Sequence, residues 1–207
     1  EDGASSCSPE PIISEIRMLS MQLNFKHASL KEASNIVVSP NGLHVYAVDG
    51  SNSKNHQSSI ISWNRSKTTG ELTNLFSIPS EIHLVGASDL AMSPDGTSIY
   101  AVAEIANTIV YWDRDTMSGK LTNQRHIKDD IHLDGAKSVM VSPDNKHVYC
   151  VASSSNSIVY WTRDKETGTL TNKNSVSDAT YLEHATSVAV APDGKHVYAV
   201  SKLANSI

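Results

Sequence analysis

The sequence predicts an all-β fold assembled from repeated four-stranded antiparallel units, and three repeated stretches are the basis of this prediction. The first is a turn between two apolar runs, such as "SPDNKHVYC", and it recurs around Pro40, Pro94, Pro143 and Pro192. The second, such as "IVYWTRDKETGTLTN", follows the first three turns, and the third, such as "GAKSVMVSP", precedes the last three. A period of about 50 residues is typical of repeat architectures with one sheet per unit.

Each unit contains four segments with the residue pattern of a strand, as its third copy illustrates. Residues 138–142 form a short β-branched run that ends at a Ser-Pro-Asp turn, where proline fixes φ. His147–Ala152 is apolar on both alternating faces, as a strand between neighbouring sheets requires. Residues 158–163 are β-branched and aromatic, whereas residues 169–174 are polar and suit an outer edge. Four such strands without a helical period predict a β-propeller with one blade per repeat.

The positions of the repeats predict the domain organisation. Residues 1–13 are predicted to be a leader and residues 14–207 the propeller domain. The blades are predicted at about 34–84, 85–134, 135–184, and 185–207 combined with 14–24. The N-terminal strand would then complete the last blade and close a four-bladed ring, because apolar faces and open sheet edges gain by meeting. Two alternatives are a larger ring of seven or eight blades and a homodimer that completes or stacks the ring.

The composition excludes several classes of partner. The chain has 39% apolar and 19% charged residues, a net charge of −5 and no cluster of Lys or Arg. Nucleic acids and anionic membranes attract basic surfaces, so neither is an expected partner. No apolar run approaches the ~20 residues of a membrane span. The two cysteines are too few for a disulfide framework, so Cys150 is expected to be a buried free thiol, with a Cys7–Cys150 bridge as the alternative.

The loops that follow second strands and precede first strands are expected to meet on one face around the central channel. They are polar and differ between repeats, as binding loops on a regular scaffold commonly do. His83 and His132 hold equivalent positions in "IHL", and His184 lies nearby in the next repeat, so these imidazoles could bind a metal or a carboxylate, or each could hydrogen-bond a neighbouring loop. The candidate ligand-binding residues are Asp49, Asn52, Asn55, His83, Glu104, His132 and His184.

No cofactor is expected, and a calcium ion is the one alternative. Asp49, Ser51, Ser53 and Asn55 place oxygen-bearing side chains at alternate positions, as in a calcium-binding loop. The central glycine and the terminal acidic ligand of such a loop are missing. The single N-glycosylation sequon, which begins at Asn64, favours an extracellular or secreted location.

Two of the repeated patterns, "GAxSVxVSPDGKHVYxV" and "NSIVYWxRDxxTGxLT", resemble the repeat of the YVTN and lactonase-type β-propellers over about residues 34–207. Members of that family usually carry about seven blades. The resemblance implies a role for Glu104, which in "AVAEIANTIVYW" falls on the acidic position of the family's "NELxNTV" motif. The family's histidine-rich "GxHPxH" stretch is absent, since the matching positions are "VGASDL", "DGAKSV" and "EHATSV".

Two functions are compatible with these observations. The main prediction is a non-catalytic binding propeller, a lectin-like or adhesive module that takes a glycan or protein ligand, because the blades are near-equivalent, their loops are polar and no complete catalytic constellation is evident. The alternative is a lactonase-like hydrolase with Glu104 at the mouth of the channel.

Overall fold

The computed structural model describes residues 32–51, 58–80 and 82–207, which form strands joined by turns. Blade 1 consists of β1 (Ala33–Val38), β2 (His44–Asp49), β3 (Ser59–Arg65) and β4 (Leu72–Pro79). Blade 2 consists of β5 (Ala87–Met92), β6 (Ser98–Ala103), β7 (Thr108–Arg114) and β8 (Leu121–Lys128). Blade 3 consists of β9 (Ala136–Val141), β10 (His147–Ala152), β11 (Ser157–Arg163) and β12 (Leu170–Ser177). Blade 4 begins with β13 (Ala185–Val190) and β14 (Val197–Ser201).

Each complete blade is an antiparallel sheet whose strands lie side by side in chain order, and β13 pairs with β14 in the same way. The predicted all-β fold of four-stranded antiparallel blades is therefore confirmed. Within the described ranges, no helix is long and apolar enough to cross a membrane.

The proline turn between the first two strands of a blade is stabilised by its own side chains. In blade 3, Ser142 Oγ donates to Asp144 Oδ1 (2.6 Å), and the amide of His147 donates to Ser142 Oγ (2.9 Å). Asn145 takes a positive φ of 65° at the position where the other blades have glycine. Because the left-handed region is open to glycine and tolerated by asparagine, the turn residues fix how the two strands pair.

Consecutive blades pack face to face around a centre lined by their first strands. Strand β1 contacts β5, β5 contacts β9, and β9 contacts β13. All residues of β2 and of β6 are buried, as predicted for strands with apolar residues on both faces. One apolar cluster joins blades 1 and 2 and contains Trp112, and a second joins blades 2 and 3 and contains Trp161. The shared apolar clusters thus hold successive sheets together.

A buried arginine also joins each of these blades to the one before it. Arg163 of blade 3 donates through Nε to Tyr100 Oη of blade 2 (2.8 Å), and Tyr100 Oη donates to the carbonyl oxygen of Gly168 (2.7 Å). Arg114 of blade 2 donates in the same way to Tyr46 Oη of blade 1 (2.7 Å), and that hydroxyl also donates to a glycine carbonyl. Both arginines are buried. We call this arrangement the Arg–Tyr clamp.

The glycine of each clamp is required by space as well as by φ. Gly119 has a φ of 73°, and a Cβ there would lie 2.2 Å from Cδ2 of His44 in blade 1. Gly168 has a φ of 66°, and a Cβ there would lie 2.3 Å from Oγ of Ser98 in blade 2. The Thr-Gly or Ser-Gly turn can approach the preceding blade this closely only because it has no side chain.

Removal of the Tyr100 hydroxyl is expected to lower the free energy of unfolding by about 1–3 kcal/mol, because buried groups of Arg163 and Gly168 lose their partner. Tyr198→Phe is the matched control, since Tyr198 occupies the same repeat position, is 52% exposed and has no hydroxyl partner in the part of the chain that the structure describes. The control should change stability by less than ~0.5 kcal/mol. Urea unfolding measures both variants, and equal effects would contradict a stabilising role for the clamp.

His44 lies against the clamp between blades 1 and 2. Its Nδ1 is 2.8 Å from Nη2 of Arg114, and its side chain is buried. Burial, followed by the positive charge of Arg114, lowers the pKa of His44 below its ordinary value. The folded state therefore binds a proton at this imidazole less readily than the unfolded state does.

Acidification is consequently expected to destabilise the protein through His44. This contribution to stability is fully present above the unfolded pKa of ~6.5 and is lost as the pH falls below it. His44→Asn should therefore lose less stability than the wild type between about pH 7 and pH 5, as measured by thermal unfolding. His147→Asn makes the same substitution at the equivalent position of blade 3, where no described arginine contacts the ring, and is the matched control for the substitution itself. An unchanged pH response of His44→Asn would refute the assignment.

Several predictions about the ends of the domain concern residues outside the described ranges. These are the leader at 1–13, the strand at 14–24 and Cys7, so closure by strand exchange and a Cys7–Cys150 bridge stay predictions. Cys150 is buried and has no disulfide partner among the described residues, and burial raises its pKa. Apolar side chains are exposed at both ends of the described arc, as with Ile36 on β1 and Val200 on β14.

Candidate functional site

The channel mouth carries a cavity of about 400 Å³ between the first strands of blades 1, 2 and 3. The residues that directly follow the second strands of the blades meet there with residues near the start of the first strands. The polar side chains that line the cavity are those of Glu32, Ser34, Ser88, Glu104 and Lys137. All of them lie on the face that the variable loops share, where the sequence predicted a site.

Glu104 and Lys137 form an ion pair in this cavity. Lys137 Nζ of blade 3 donates to Glu104 Oε2 of blade 2 at 2.5 Å, and the two side chains are 38% and 41% exposed. The backbone of Glu104 is fixed, because its amide donates to the carbonyl of Gly86 (2.9 Å) in the adjacent loop. The cavity therefore presents an acid and a base side by side, partly open to solvent.

Lys137 stands at a position where the other blades carry a hydroxyl. The equivalent residues are Ser34, Ser88 and Thr186. Ser34 Oγ donates to the carbonyl of Ala87 (2.8 Å), and Ser88 Oγ donates to the carbonyl of Ala136 (2.8 Å). The first two of these hydroxyls thus bridge neighbouring first strands, whereas the lysine turns towards Glu104.

The sequence analysis did not identify Lys137 as a site residue. The one available signal was the contrast of "GAKSV" with "GASDL" and "HATSV", a single cation among small polar residues. That contrast becomes informative only when blades 2 and 3 are placed side by side. The charged partner that the structure gives Glu104 is this lysine.

A buried carboxylate supports the three first strands next to this cavity. Asp89 on β5 accepts the backbone amides of Leu90 (2.8 Å) and Val139 (2.9 Å) and the side-chain amide of Asn35. Because these partners lie on β1, β5 and β9, Asp89 ties together the strands that carry the hydroxyls and the lysine. Its oxygens accept hydrogen bonds that hold these strands together, so Asp89 is a structural rather than a reacting group.

The three candidate histidines do not form one cluster. His83, in the loop between blades 1 and 2, stacks on His126 of β8 with ring centroids 3.6 Å apart, and burial together with His126 lowers the pKa of His83. His132 Nδ1 lies 3.1 Å from Asp129 Oδ2 in its own loop. His184 is exposed, and its amide donates to Asn156 Oδ1 (3.2 Å). Within 32–51, 58–80 and 82–207, no three His, Cys, Asp or Glu side chains are grouped to hold a metal.

The carboxylate of Asp129 orders the loop that contains His132. Burial alone would raise the pKa of Asp129, but hydrogen bonds from Lys173 and from the amides of Ile131 and His132 outweigh it and hold that pKa well below its usual range. The carboxylate accepts these amides at 2.9 and 3.0 Å. These hydrogen bonds to Asp129 therefore order the turn that precedes β9 and Lys137. The position of the His132 imidazole is set by that turn.

The remaining candidate residues lie elsewhere. Asp49 is buried and accepts the amide of Ser51 (3.0 Å) through Oδ1 and that of Glu32 (3.3 Å) through Oδ2. The other members of the candidate loop, Asn52, Ser53 and Asn55, are outside the described residues, so the calcium alternative stays a prediction. Asn64 lies within β3, paired with His44, and is partly exposed.

The sequence matches a family model described as "Lactonase, 7-bladed beta-propeller". The matched segments are residues 13–140, 58–182 and 132–207, which overlap and together cover most of the chain. No match was found among curated protein sequences.

Solved structures share the fold at low sequence identity. A candidate 6-phosphogluconolactonase from Bacteroides fragilis is 19% identical with a TM-score of 0.68, over 84% of this chain and 48% of that one. The periplasmic gluconolactonase of Pseudomonas aeruginosa is 17% identical with a TM-score of 0.68, over 83% and 47%. A protein from Lactobacillus plantarum is 18% identical with a TM-score of 0.66, over 81% and 50%. The chain spans about half the length of these structures.

These matches contradict the main functional prediction, a non-catalytic lectin-like or adhesive module, and support its lactonase alternative. The prediction was wrong because it assumed that blades of similar sequence would carry similar sites. The scaffold repeats, but the residues that follow the second strands do not, since they are Gly50, Glu104, Ser153 and Lys202. The seven-bladed family likewise favours the larger ring over closure of four blades.

Proposed function

Since the chain belongs to the family of seven-bladed β-propeller lactonases, we propose that its channel mouth hydrolyses a lactone, with Glu104 and Lys137 as the reacting pair. The observation that carries this proposal is their ion pair, held by two different blades in one cavity of about 400 Å³. A carboxylate that can accept a proton and an ammonium that can stabilise an oxyanion are the two groups that ester hydrolysis needs.

In the proposed mechanism Glu104 first accepts a proton from water and later gives it to the leaving group. Glu104 takes a proton from a water molecule as the water oxygen attacks the lactone carbonyl carbon. The resulting oxyanion is stabilised by Lys137, whose ammonium has three N–H donors and gives one to Glu104. The tetrahedral intermediate then breaks its ring C–O bond, and Glu104 returns the proton to the leaving alkoxide. The product is the open-chain hydroxy acid.

A neutral sugar lactone is the substrate class that we propose. The hydroxyls of Ser34 and Ser88 beside the pair donate to strand carbonyls, and their oxygens keep lone pairs that can accept hydrogen bonds from a polyol. Among the described lining residues, Glu32 and Glu104 are acidic and Lys137 is the one cation, already engaged by Glu104. A phosphorylated substrate would therefore meet more negative than positive charge, which favours an unphosphorylated lactone.

The test is hydrolysis of glucono-δ-lactone by the intact protein, followed as acid release at constant pH and corrected for spontaneous opening. Glu104→Gln should lower kcat by ~10²–10⁴-fold, because the base is removed while the shape is kept. Lys137→Met should lower kcat by ~10²–10³-fold through loss of oxyanion stabilisation.

Glu166→Gln, an exposed carboxylate in the turn between β11 and β12, is the matched control and should leave hydrolysis unchanged. The 6-phosphorylated lactone should be a poorer substrate than the neutral one. Hydrolysis that persists in Glu104→Gln would show that Glu104 is not the base. A wild-type protein without lactonase activity would refute the proposed function.

We infer a location outside the cytoplasm from two observations. One structural relative is named as a periplasmic enzyme, and the chain contains the Asn64 sequon. Fractionation of the native source and the intact mass of the purified protein test this location. Recovery of unmodified protein from the cytoplasmic fraction would contradict it.

A further inference from the structure

A groove of about 430 Å³ lies between blades 1 and 2, formed by strands β3 and β4 rather than by the first strands. Blade 1 contributes Ser62, Asn64 and Phe76, and blade 2 contributes the turn around Gly119. The Phe76 side chain is 64% exposed. The lining is largely apolar, so the groove leaves an aromatic wall exposed to solvent.

The equivalent groove between blades 2 and 3 is filled by blade 2 itself. Tyr111 stacks on Tyr100 with ring centroids 5.7 Å apart, and the guanidinium of Arg125 lies 4.9 Å from the centroid of Tyr111. Arg125 also donates to the carbonyl of Thr167 (3.1 Å) and to Thr169 Oγ1 (3.2 Å) across the groove. The stack of two rings and a guanidinium thus closes the space between these blades.

The strand register identifies what blade 1 lacks. In blade 2 the row of paired residues across β6, β7 and β8 is Tyr100, Tyr111 and Arg125. In blade 1 the same row across β2, β3 and β4 is Tyr46, Ser62 and Phe76. Ser62 therefore leaves vacant the place that a tyrosine ring takes in blades 2 and 3, where the residues are Tyr111 and Tyr160.

The charges of blade 2 are absent from blade 1 as well. Arg125 and its ion-pair partner Asp113 are replaced by Phe76 and Asn64. Among the described lining residues the one Lys, Arg, Asp or Glu is Lys120 at the rim, and burial and Arg114 lower the pKa of His44, which favours its neutral form. The groove therefore suits an uncharged aromatic group with a hydrogen-bonding substituent.

We propose that this groove binds a small planar phenol whose ring takes the place of the missing tyrosine ring and packs against Phe76. Aromatic pairs at centroid distances of ~4.5–7 Å add to the gain from burial, and a preformed apolar cavity binds an aromatic molecule of matching size. The amide of Asn64 lies at the groove for the phenolic hydroxyl. This site is separate from the channel mouth, which neither Ser62 nor Phe76 lines.

The probe is p-cresol, which has the size and shape of a tyrosine side chain. Calorimetry on the intact protein should show one binding event per chain, and a saturating concentration should raise Tm by about 2 °C, because the ligand binds only the folded state. The non-planar 4-methylcyclohexanol should bind at least ~10-fold more weakly, because it has no aromatic face to pack against Phe76. No heat from p-cresol, or equal binding of the two alcohols, would overturn the proposal.

Ser62→Tyr restores the ring that the other blades carry and should weaken p-cresol binding at least ~10-fold while keeping or raising Tm. Ser177→Tyr adds the same ring at an exposed position on β12 and should bind p-cresol as the wild type does. Phe76→Ala removes an exposed wall of the groove and should weaken binding at least ~5-fold, whether or not Ser62→Tyr folds. Undiminished binding in both Ser62→Tyr and Phe76→Ala would refute the site.

Discussion

The buried arginine that bridges successive blades is the contact on which the rest of this structure depends. Arg114 and Arg163 each carry a full charge into the interface between two blades. This charge is tolerated because the N–H groups of each arginine meet a tyrosine hydroxyl of the preceding blade and a turn carbonyl of their own blade, and Arg163 also pairs with Asp95. These directional bonds fix the rotation and spacing of one sheet on the next, which apolar packing alone does not. The first strands are thereby held at the separation that leaves a cavity at the channel mouth.

The two sites that we propose for this protein lie where one blade departs from its repeat. The shared residues build sheets, turns and clamps, so they are the same in each blade and carry no chemistry of their own. At the channel mouth the departures are Glu104 and Lys137, which lie on adjacent blades and meet across their interface. Because the pair is partly exposed, its attraction is screened and adds little to stability. The pair is therefore not needed to hold the blades together, which is compatible with the reacting role that we propose for it.

The groove between blades 1 and 2 is a second departure from the repeat, and it lies at the outer strands of the sheets. Blade 2 closes the interface to its neighbour with Tyr111 and Arg125, whereas blade 1 leaves the interface open at Ser62. The repeat thus serves as an internal reference, because one blade shows how the space is normally filled. Both departures sit at interfaces between blades, where a cavity can form without breaking the hydrogen bonds within a sheet.

The sequence by itself determined the strands, the turns and the blade, because proline and glycine at fixed offsets and apolar residues on both faces of a strand act over a few residues. It also placed Glu104, through a local motif. Only the tertiary structure decided that Lys137 is its partner, that the three histidines stay apart, and that Ser62 leaves a groove. The ion pair joins residues 33 positions apart. It and the groove depend on how one sheet is rotated against the next, which no local pattern records.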